Sequence, residues 1–339
     1  MWSMTVSNKW VSHTLMALGL TASATGAAGA ESGAPPRPTI IGINLSSPVR
    51  YHRTRVFANL LLGASWTSRL PEYKDKQLKD IDEDGNPKLL PEGAPLWWIL
   101  TNPNAGTREA DIRCTYQGRG EITPMAATNV RSGRGFFSFH WDNSDARPRQ
   151  VTLRLSASDP ADPIRGLDCR ETTLPASARF DPQFIESLRG FKVVRFMDWQ
   201  NTNGNTPVTW ATRHTRNSLN ITRDDGVPIE DMIALANEAR ADPWFTMPWN
   251  ADDDYITRFA RLVHDTLAPD RTAYVELGNE VWNMRFLMAK QAMREGQAAG
   301  LSGDANVARA RRYAQRMVQV MDIWKNVFAD RPGKLVRVA

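Results

Sequence analysis

The chain has 339 residues, and 42% of them are apolar, which is enough for a packed core. Its formal net charge of +5 is small and dispersed for this length, so nucleic acid is not an expected partner. No stretch after residue 30 approaches the ~20 consecutive apolar residues of a membrane span.

The first 30 residues have the pattern of a signal peptide. Lys9 is their single charged side chain, residues 15–20 begin a modestly apolar region, and Ala28, Gly29 and Ala30 fit a small-residue cleavage site. A disordered tail is the alternative interpretation. Export predicts a secreted or periplasmic protein.

An exported chain can contain a disulfide. The sequence has two cysteines, Cys114 and Cys169, and one bridge between them is the pairing that we expect.

After a linker that begins at residue 31, residues 39–45 are predicted as a strand and residues 55–66 as a short helix, within a segment that extends to residue 69. Residues 70–175 then change character, with short apolar–polar alternations separated by turn signals. The predicted strands are 96–100, 112–116, 135–141 and 151–155. This pattern is typical of antiparallel strands with one solvent-exposed face, so residues 70–175 are predicted as an inserted antiparallel β-sandwich.

From residue 176 to residue 339 strands alternate with helices. Strands are predicted at 192–198, 243–249, 272–278 and 334–338, and helices at 181–190, from Pro228, and at 252–267, 284–299 and 305–329. The last helix carries Arg309, Arg311, Arg312 and Arg316, which we interpret as a solvated face.

Alternation of this kind predicts parallel βα units. With residues 39–45 there are five such strands, whereas a (β/α)8 TIM barrel has eight. The expected fold class is therefore α/β, an incomplete TIM barrel of about five strands with an inserted antiparallel β-sandwich. A truncated gene or a fragment is the expected origin.

In such folds the active site lies at the C-terminal ends of the strands. These ends supply Asp198, Trp199, Trp249, Asn250, Asn279, Glu280 and Trp282, and His214 lies in the long loop 199–227. Without a cysteine and with one nearby histidine, the set does not suit a zinc site or a Cys/His nucleophile, and no phosphate-binding glycine loop is present. No metal or other cofactor is expected.

Carboxylates, amides and indole rings suit glycoside hydrolysis, in which one carboxylic acid protonates the leaving oxygen. A second carboxylate lies ~5 Å away in retaining enzymes and ~6.5–9.5 Å away in inverting ones. Glu280 at the mouth of a buried strand is the candidate acid. Glu276 stands ~13 Å from it along the strand, so it is expected as a polar residue inside the barrel. Asp198 is a better-placed partner, with a structural or substrate-binding role as the stronger alternative.

The three tryptophans at the strand ends, Trp199, Trp249 and Trp282, are candidate platforms for sugar rings, and filling of the core is the alternative for each.

The sequence Gly278-Asn279-Glu280-Val281-Trp282 resembles the fourth-strand motif of the clan-A glycoside hydrolases, retaining enzymes built on a (β/α)8 barrel. The resemblance covers about residues 39–47 and 180–339. It implies that Glu280 is the acid/base and that Asn279 binds the sugar 2-hydroxyl next to the scissile bond. Arg195 resembles a basic residue that lines these sites.

The clan's nucleophile, a glutamate at the end of the seventh strand, has no counterpart among the five predicted strands. The resemblance implies an exported glycoside hydrolase that acts on a polysaccharide or oligosaccharide, with little hydrolysis expected if the chain is complete. The alternative is a carbohydrate-binding or adhesive protein without catalysis, which rests on the β-sandwich and the tryptophans.

Overall fold

The structure is a computed structural model that describes residues 41–49, 55–71, 78, 80–102, 109–142, 150–221 and 226–339. The chain divides into two units, residues 1–39 and 40–339, and every described residue belongs to the second. The predicted signal peptide, residues 1–30, therefore lies outside the described residues.

The described part of the chain contains 13 strands. They are β1 (Gly42–Asn44), β2 (Thr67–Ser68), β3 (Leu96–Ile99), β4 (Glu109–Gln117), β5 (Gly120–Met125), β6 (Thr128–Gly133), β7 (Phe136–Asp142), β8 (Thr152–Ser158), β9 (Arg165–Glu171), β10 (Val193–Arg195), β11 (Asp242–Met247), β12 (Ala273–Leu277) and β13 (Leu335–Val338). The helices are α1 (Pro182–Ser187), α2 (Ile229–Ala239), α3 (Asp253–Thr266), α4 (Leu287–Ala298) and α5 (Ala305–Val327).

The predicted parallel sheet is confirmed. Its five strands stand in chain order, β1-β10-β11-β12-β13, and every neighbouring pair is parallel. In the described part of the chain the sheet is open, with β1 and β13 at its edges. The strand ends that carry the predicted site therefore lie along one edge of a single sheet.

The two faces of this sheet differ in chemistry because side chains alternate along each strand. On one face Phe245 of β11 packs against Phe259 of α3 and Trp324 of α5, with ring centroids 5.1 and 6.4 Å apart. The alternate residues Trp244 of β11 and Glu276 of β12 are half-buried and belong to the other face. One face of the sheet thus packs its apolar side chains against the helices, and the other face carries polar groups.

Aspartates fix where helices α3 and α5 begin. Asp252 accepts a hydrogen bond from the Tyr255 amide at 2.7 Å before α3, and Asp304 accepts one from the Val307 amide at 2.9 Å before α5. Each carboxylate satisfies an amide that has no partner inside the helix, which stabilises a helix start by roughly 1 kcal/mol.

The antiparallel strands predicted between residues 70 and 175 are also confirmed. They form two four-stranded sheets, with orders β2-β3-β8-β5 and β6-β7-β4-β9. Alternate residues of β7 (Phe137, Phe139 and Trp141) and of β8 (Leu153 and Leu155) are buried in one hydrophobic core. Cys114 of β4 and Cys169 of β9 are register partners and form the disulfide that the cysteine count allows.

The helix predicted at residues 55–66 is wrong. Residues 55–63 are buried at every position, so burial does not alternate between an inner and an outer face as it would in an amphipathic helix. Two backbone amides of this segment donate to other segments of the chain instead. The Leu60 amide donates to the carbonyl of Cys169 at 2.7 Å, and the Ala58 amide donates to the carbonyl of Arg179 at 3.0 Å. A fully buried segment needs partners for its peptide groups, and here neighbouring segments supply them.

Candidate active site

The backbone turns sharply at Gly278, Asn279 and Glu280, directly after β12. Gly278 has φ +65° and Glu280 has φ +48°. A Cβ on Gly278 would lie 2.7 Å from Cγ2 of Val281, so the turn requires glycine there. Glutamate gains nothing from the left-handed conformation, which costs a residue with a side chain roughly 1–2 kcal/mol. Strain of this kind is concentrated at functional sites.

This strain gives a testable expectation about stability. We expect Glu280→Gly to be more stable than Glu280→Ala by about 1 kcal/mol, because glycine adopts a positive φ without the steric cost. Both variants lose the hydrogen bond between Asn283 Nδ2 and Glu280 Oε2, so that loss cancels. Equilibrium urea unfolding measures the difference. An alanine variant as stable as the glycine variant would show that the turn is unstrained.

The turn borders a cavity of about 640 Å³ at the C-terminal end of the sheet. Its lining includes Arg195, Trp244, Glu276, Asn279, Glu280 and Trp282. Four of these, Arg195, Asn279, Glu280 and Trp282, are residues that the sequence predicts for the site. The structure therefore brings the fourth-strand motif together with the arginine of β10.

A charged cluster forms the floor of the cavity. Glu276 Oε2 accepts hydrogen bonds from Arg195 Nε at 3.1 Å, from an Arg195 terminal nitrogen at 2.6 Å and from Trp244 Nε1 at 2.9 Å. Three donors on one carboxylate oxygen fix the position of the Glu276 side chain. Glu276 is thus a structural carboxylate on the polar face of the sheet.

Asn279 is connected to this cluster and is only 6% exposed. Its Oδ1 accepts from Arg195 at 3.0 Å, and its Nδ2 donates to Asn203 Oδ1 at 3.1 Å. These bonds fix which end of the amide carries the oxygen. An amide nitrogen carries two hydrogens, so one is left to donate to a ligand.

Glu280 and Trp282 are on the open side of the cavity. Glu280 is exposed, and its Oε2 accepts from Asn283 Nδ2 at 2.9 Å. Trp282 is 68% exposed, the highest value among the exposed large hydrophobic side chains of the described residues. An acid that solvent and ligand can both reach therefore lies beside an uncovered aromatic face.

Helix α5 supplies two polar cavity residues that the sequence analysis did not assign to the site, Arg309 and Tyr313. They are four residues apart, so they lie on the same side of the helix. Burial and the charge of Glu276 both raise the pKa of the Tyr313 phenol, which remains a hydrogen-bond donor at neutral pH. The spacing was the available signal, but the neighbouring arginines made this side of the helix look like a solvated face.

Two of the predicted platform residues lie in the core instead. Trp199 is 1% exposed and packs against Phe57, Phe184 and Phe196, with centroid distances between 5.3 and 6.4 Å. Trp249 is 4% exposed, and its Nε1 donates to Glu295 Oε1 at 3.3 Å. Neither ring has a face free for a sugar, so the interpretation of both as platforms is corrected to core packing.

Three further predicted residues do not line the cavity. Asp198 accepts from Asn44 Nδ2 at 3.3 Å at the neighbouring strand ends. Asn250 Nδ2 donates to the carbonyl of Asn205 at 2.8 Å, and His214 Nδ1 lies 2.6 Å from that of Gly226. These contacts join loops and strand ends to one another, and Asp198 does not line the cavity that Glu280 borders.

The described residues contain no group of three or more His, Cys, Asp or Glu side chains that could hold a metal ion. None of their helices is long and apolar enough to cross a membrane.

The chain was compared with protein-family models, with curated proteins and with solved structures, and none of the three comparisons finds a match.

Proposed function

We propose that the cavity at the end of β12 is the glycan site of an exported glycoside hydrolase of the clan-A type and that Glu280 is its acid/base. One observation carries the proposal: an Asn–Glu pair follows the fourth of five parallel strands in chain order, and both side chains line a cavity beside an exposed tryptophan.

In this proposal each of these side chains has a role. Glu280 would protonate the glycosidic oxygen as the bond breaks. Asn279, oriented by Arg195, would donate its remaining N–H hydrogen to a sugar hydroxyl. Trp282 would stack on a sugar ring.

The same proposal includes the barrel. Parallel strands in chain order with helices packed against one face are features of a (β/α)8 barrel wall. The face with Glu276 would then be the interior of the barrel. In this interpretation the two antiparallel sheets are a β-sandwich inserted after the first strand.

A second candidate function, glycan binding without catalysis, is favoured by the hydrogen bonds that already engage the Glu276 carboxylate. The side-chain carboxylates of the described cavity lining are Glu276 and Glu280, and Glu276 is held by Arg195 and Trp244. A retaining mechanism needs a second, nucleophilic carboxylate. No described lining residue is assigned that role.

Turnover and binding measured on the same full chain separate the two functions. We would assay aryl β-glycosides and a panel of polysaccharides for released product, and measure binding of the corresponding oligosaccharides by calorimetry. Cleavage with retained anomeric configuration supports the hydrolase, and binding without cleavage supports the second function. If the chain neither cleaves nor binds any glycan, the site has another purpose.

Trp282→Ala tests the platform. We expect glycan binding to weaken about tenfold, because the stacked ring contributes about 1–1.5 kcal/mol, while the melting temperature stays the same since the side chain is exposed. Leu287→Ala is the matched control, since Leu287 is 56% exposed but does not line the cavity. Equal effects of the two substitutions would contradict the role of Trp282.

A further inference from the structure

Arg309 is a cavity arginine without a carboxylate partner. It is half-buried on α5 and forms no ion pair or hydrogen bond with any described residue. Its neighbours differ: Arg312 pairs with Glu295 at 2.8 Å, and Arg316 pairs with Asp253 at 2.6 Å. Arg312 and Arg316 are thus paired with carboxylates, whereas Arg309, which lines the cavity, is paired with no described residue.

The charges around the cavity show what Arg309 can bind. Two arginines, Arg195 and Arg309, and two glutamates, Glu276 and Glu280, contribute to the lining. Arg195 and Glu276 neutralise each other through their ion pair at 2.6 Å. Arg309 is paired with no described carboxylate, so its guanidinium is available to an anionic ligand.

The N–H donors of Arg309 also match the shape of an anionic group. A guanidinium presents a planar fork of N–H donors that matches the two oxygens of a carboxylate or sulfate. Tyr313, one turn along the same face of α5, adds a protonated hydroxyl. Partial burial reduces the screening that makes exposed ion pairs weak.

We propose that Arg309 binds the anionic group of an acidic glycan, a carboxylate or sulfate on a sugar ring, and so sets the substrate class of this site. The inference rests on the proposed glycan function of the cavity. It distinguishes acidic glycans, such as those built from uronic acids, from neutral ones of the same linkage.

Paired ligands test the inference on the full chain. β-1,4-linked oligoglucuronate is compared with its methyl ester, and a sulfated β-linked oligosaccharide with its desulfated form, by calorimetry at low and at high salt. We expect the acidic member of at least one pair to bind about tenfold or more tightly, and the preference to shrink as salt screens the charges. The pair that shows the preference identifies the anionic group.

Arg309→Gln should abolish that preference by weakening binding of the acidic member about tenfold more than binding of the neutral member. Arg294→Gln is the matched control, because Arg294 is an exposed residue of α4 that loses the same charge outside the cavity lining. Equal binding of acidic and neutral members overturns the inference but leaves the proposed function standing. A preference that survives in Arg309→Gln also overturns it. If no glycan of either kind binds, the proposed function itself fails.

Discussion

Glu280→Gln is expected to slow the cleavage of phenyl β-glycosides by about 10²–10⁴-fold, which is the usual contribution of a positioned general acid. Glutamine keeps the size of the side chain and an oxygen that can accept from Asn283 Nδ2, so the turn and its hydrogen bond at 2.9 Å should persist. What it lacks is a proton that can be transferred to the leaving oxygen. Oligosaccharide affinity should therefore remain within about twofold of the parent chain.

The leaving group provides a readout that a structural role of Glu280 would not change. A dinitrophenolate leaves without protonation, so cleavage of dinitrophenyl glycosides should be far less sensitive to Glu280→Gln than cleavage of phenyl glycosides. The assays are run with and without added formate. Formate can attack the sugar in place of a nucleophilic carboxylate, so cleavage can be measured even if the chain does not supply that nucleophile. Glu121→Gln is the control, an exposed glutamate of β5 remote from the cavity lining. Equal losses on both leaving groups would assign Glu280 to binding rather than to proton transfer.

Much of this site could be predicted because its signals are local. The apolar run of β12, the glycine that the turn needs and the Asn–Glu pair after it are contiguous in sequence. The alternation of strands and helices then fixes which strand ends meet along one edge of a sheet. The sequence spacing separates Glu276 from Glu280 and predicts a polar residue inside a barrel; in the structure Glu276 shares the polar face of the sheet with Trp244.

The residues that were misplaced depend on contacts remote in sequence. Trp199 follows a strand end just as Trp282 does, but it is covered by Phe57, which lies more than 140 residues earlier in the chain. Arg309 is one of several arginines on α5, and only the packing of that helix shows which of them faces the cavity. Burial of an aromatic ring and pairing of a charge are properties of the whole fold rather than of a local pattern.

The ion cluster around Arg55 is a second consequence of long-range packing. Arg55 and Asp181 are each no more than 3% exposed, and Arg55 Nε donates to Asp181 Oδ2 at 2.9 Å, while a terminal nitrogen contacts the same oxygen. Another terminal nitrogen donates to Glu171 Oε1 at 2.8 Å. Since Glu171 ends β9 and Asp181 caps α1, the cluster joins the antiparallel sheets to the α/β region.

Arg55→Met should therefore lower the free energy of unfolding by about 3–5 kcal/mol, because it leaves the Asp181 carboxylate buried without its partner. Equilibrium urea unfolding measures this loss. The matched control is Arg119→Met, whose arginine is 70% exposed and pairs with Asp159, and which should cost less than about 1 kcal/mol.

A double variant separates the buried charge from lost packing. In Arg55→Met with Asp181→Asn the amide oxygen can still cap α1 by accepting from the Gln183 amide, now at 2.8 Å, while the orphaned charge is gone. We expect this pair to recover at least half of the stability lost in Arg55→Met alone. The remaining carboxylate, Glu171, is 19% exposed and can be hydrated, so it should add little to the loss. No recovery in the double variant would mean that packing around the arginine stem, rather than the unpaired charge, holds the two regions together.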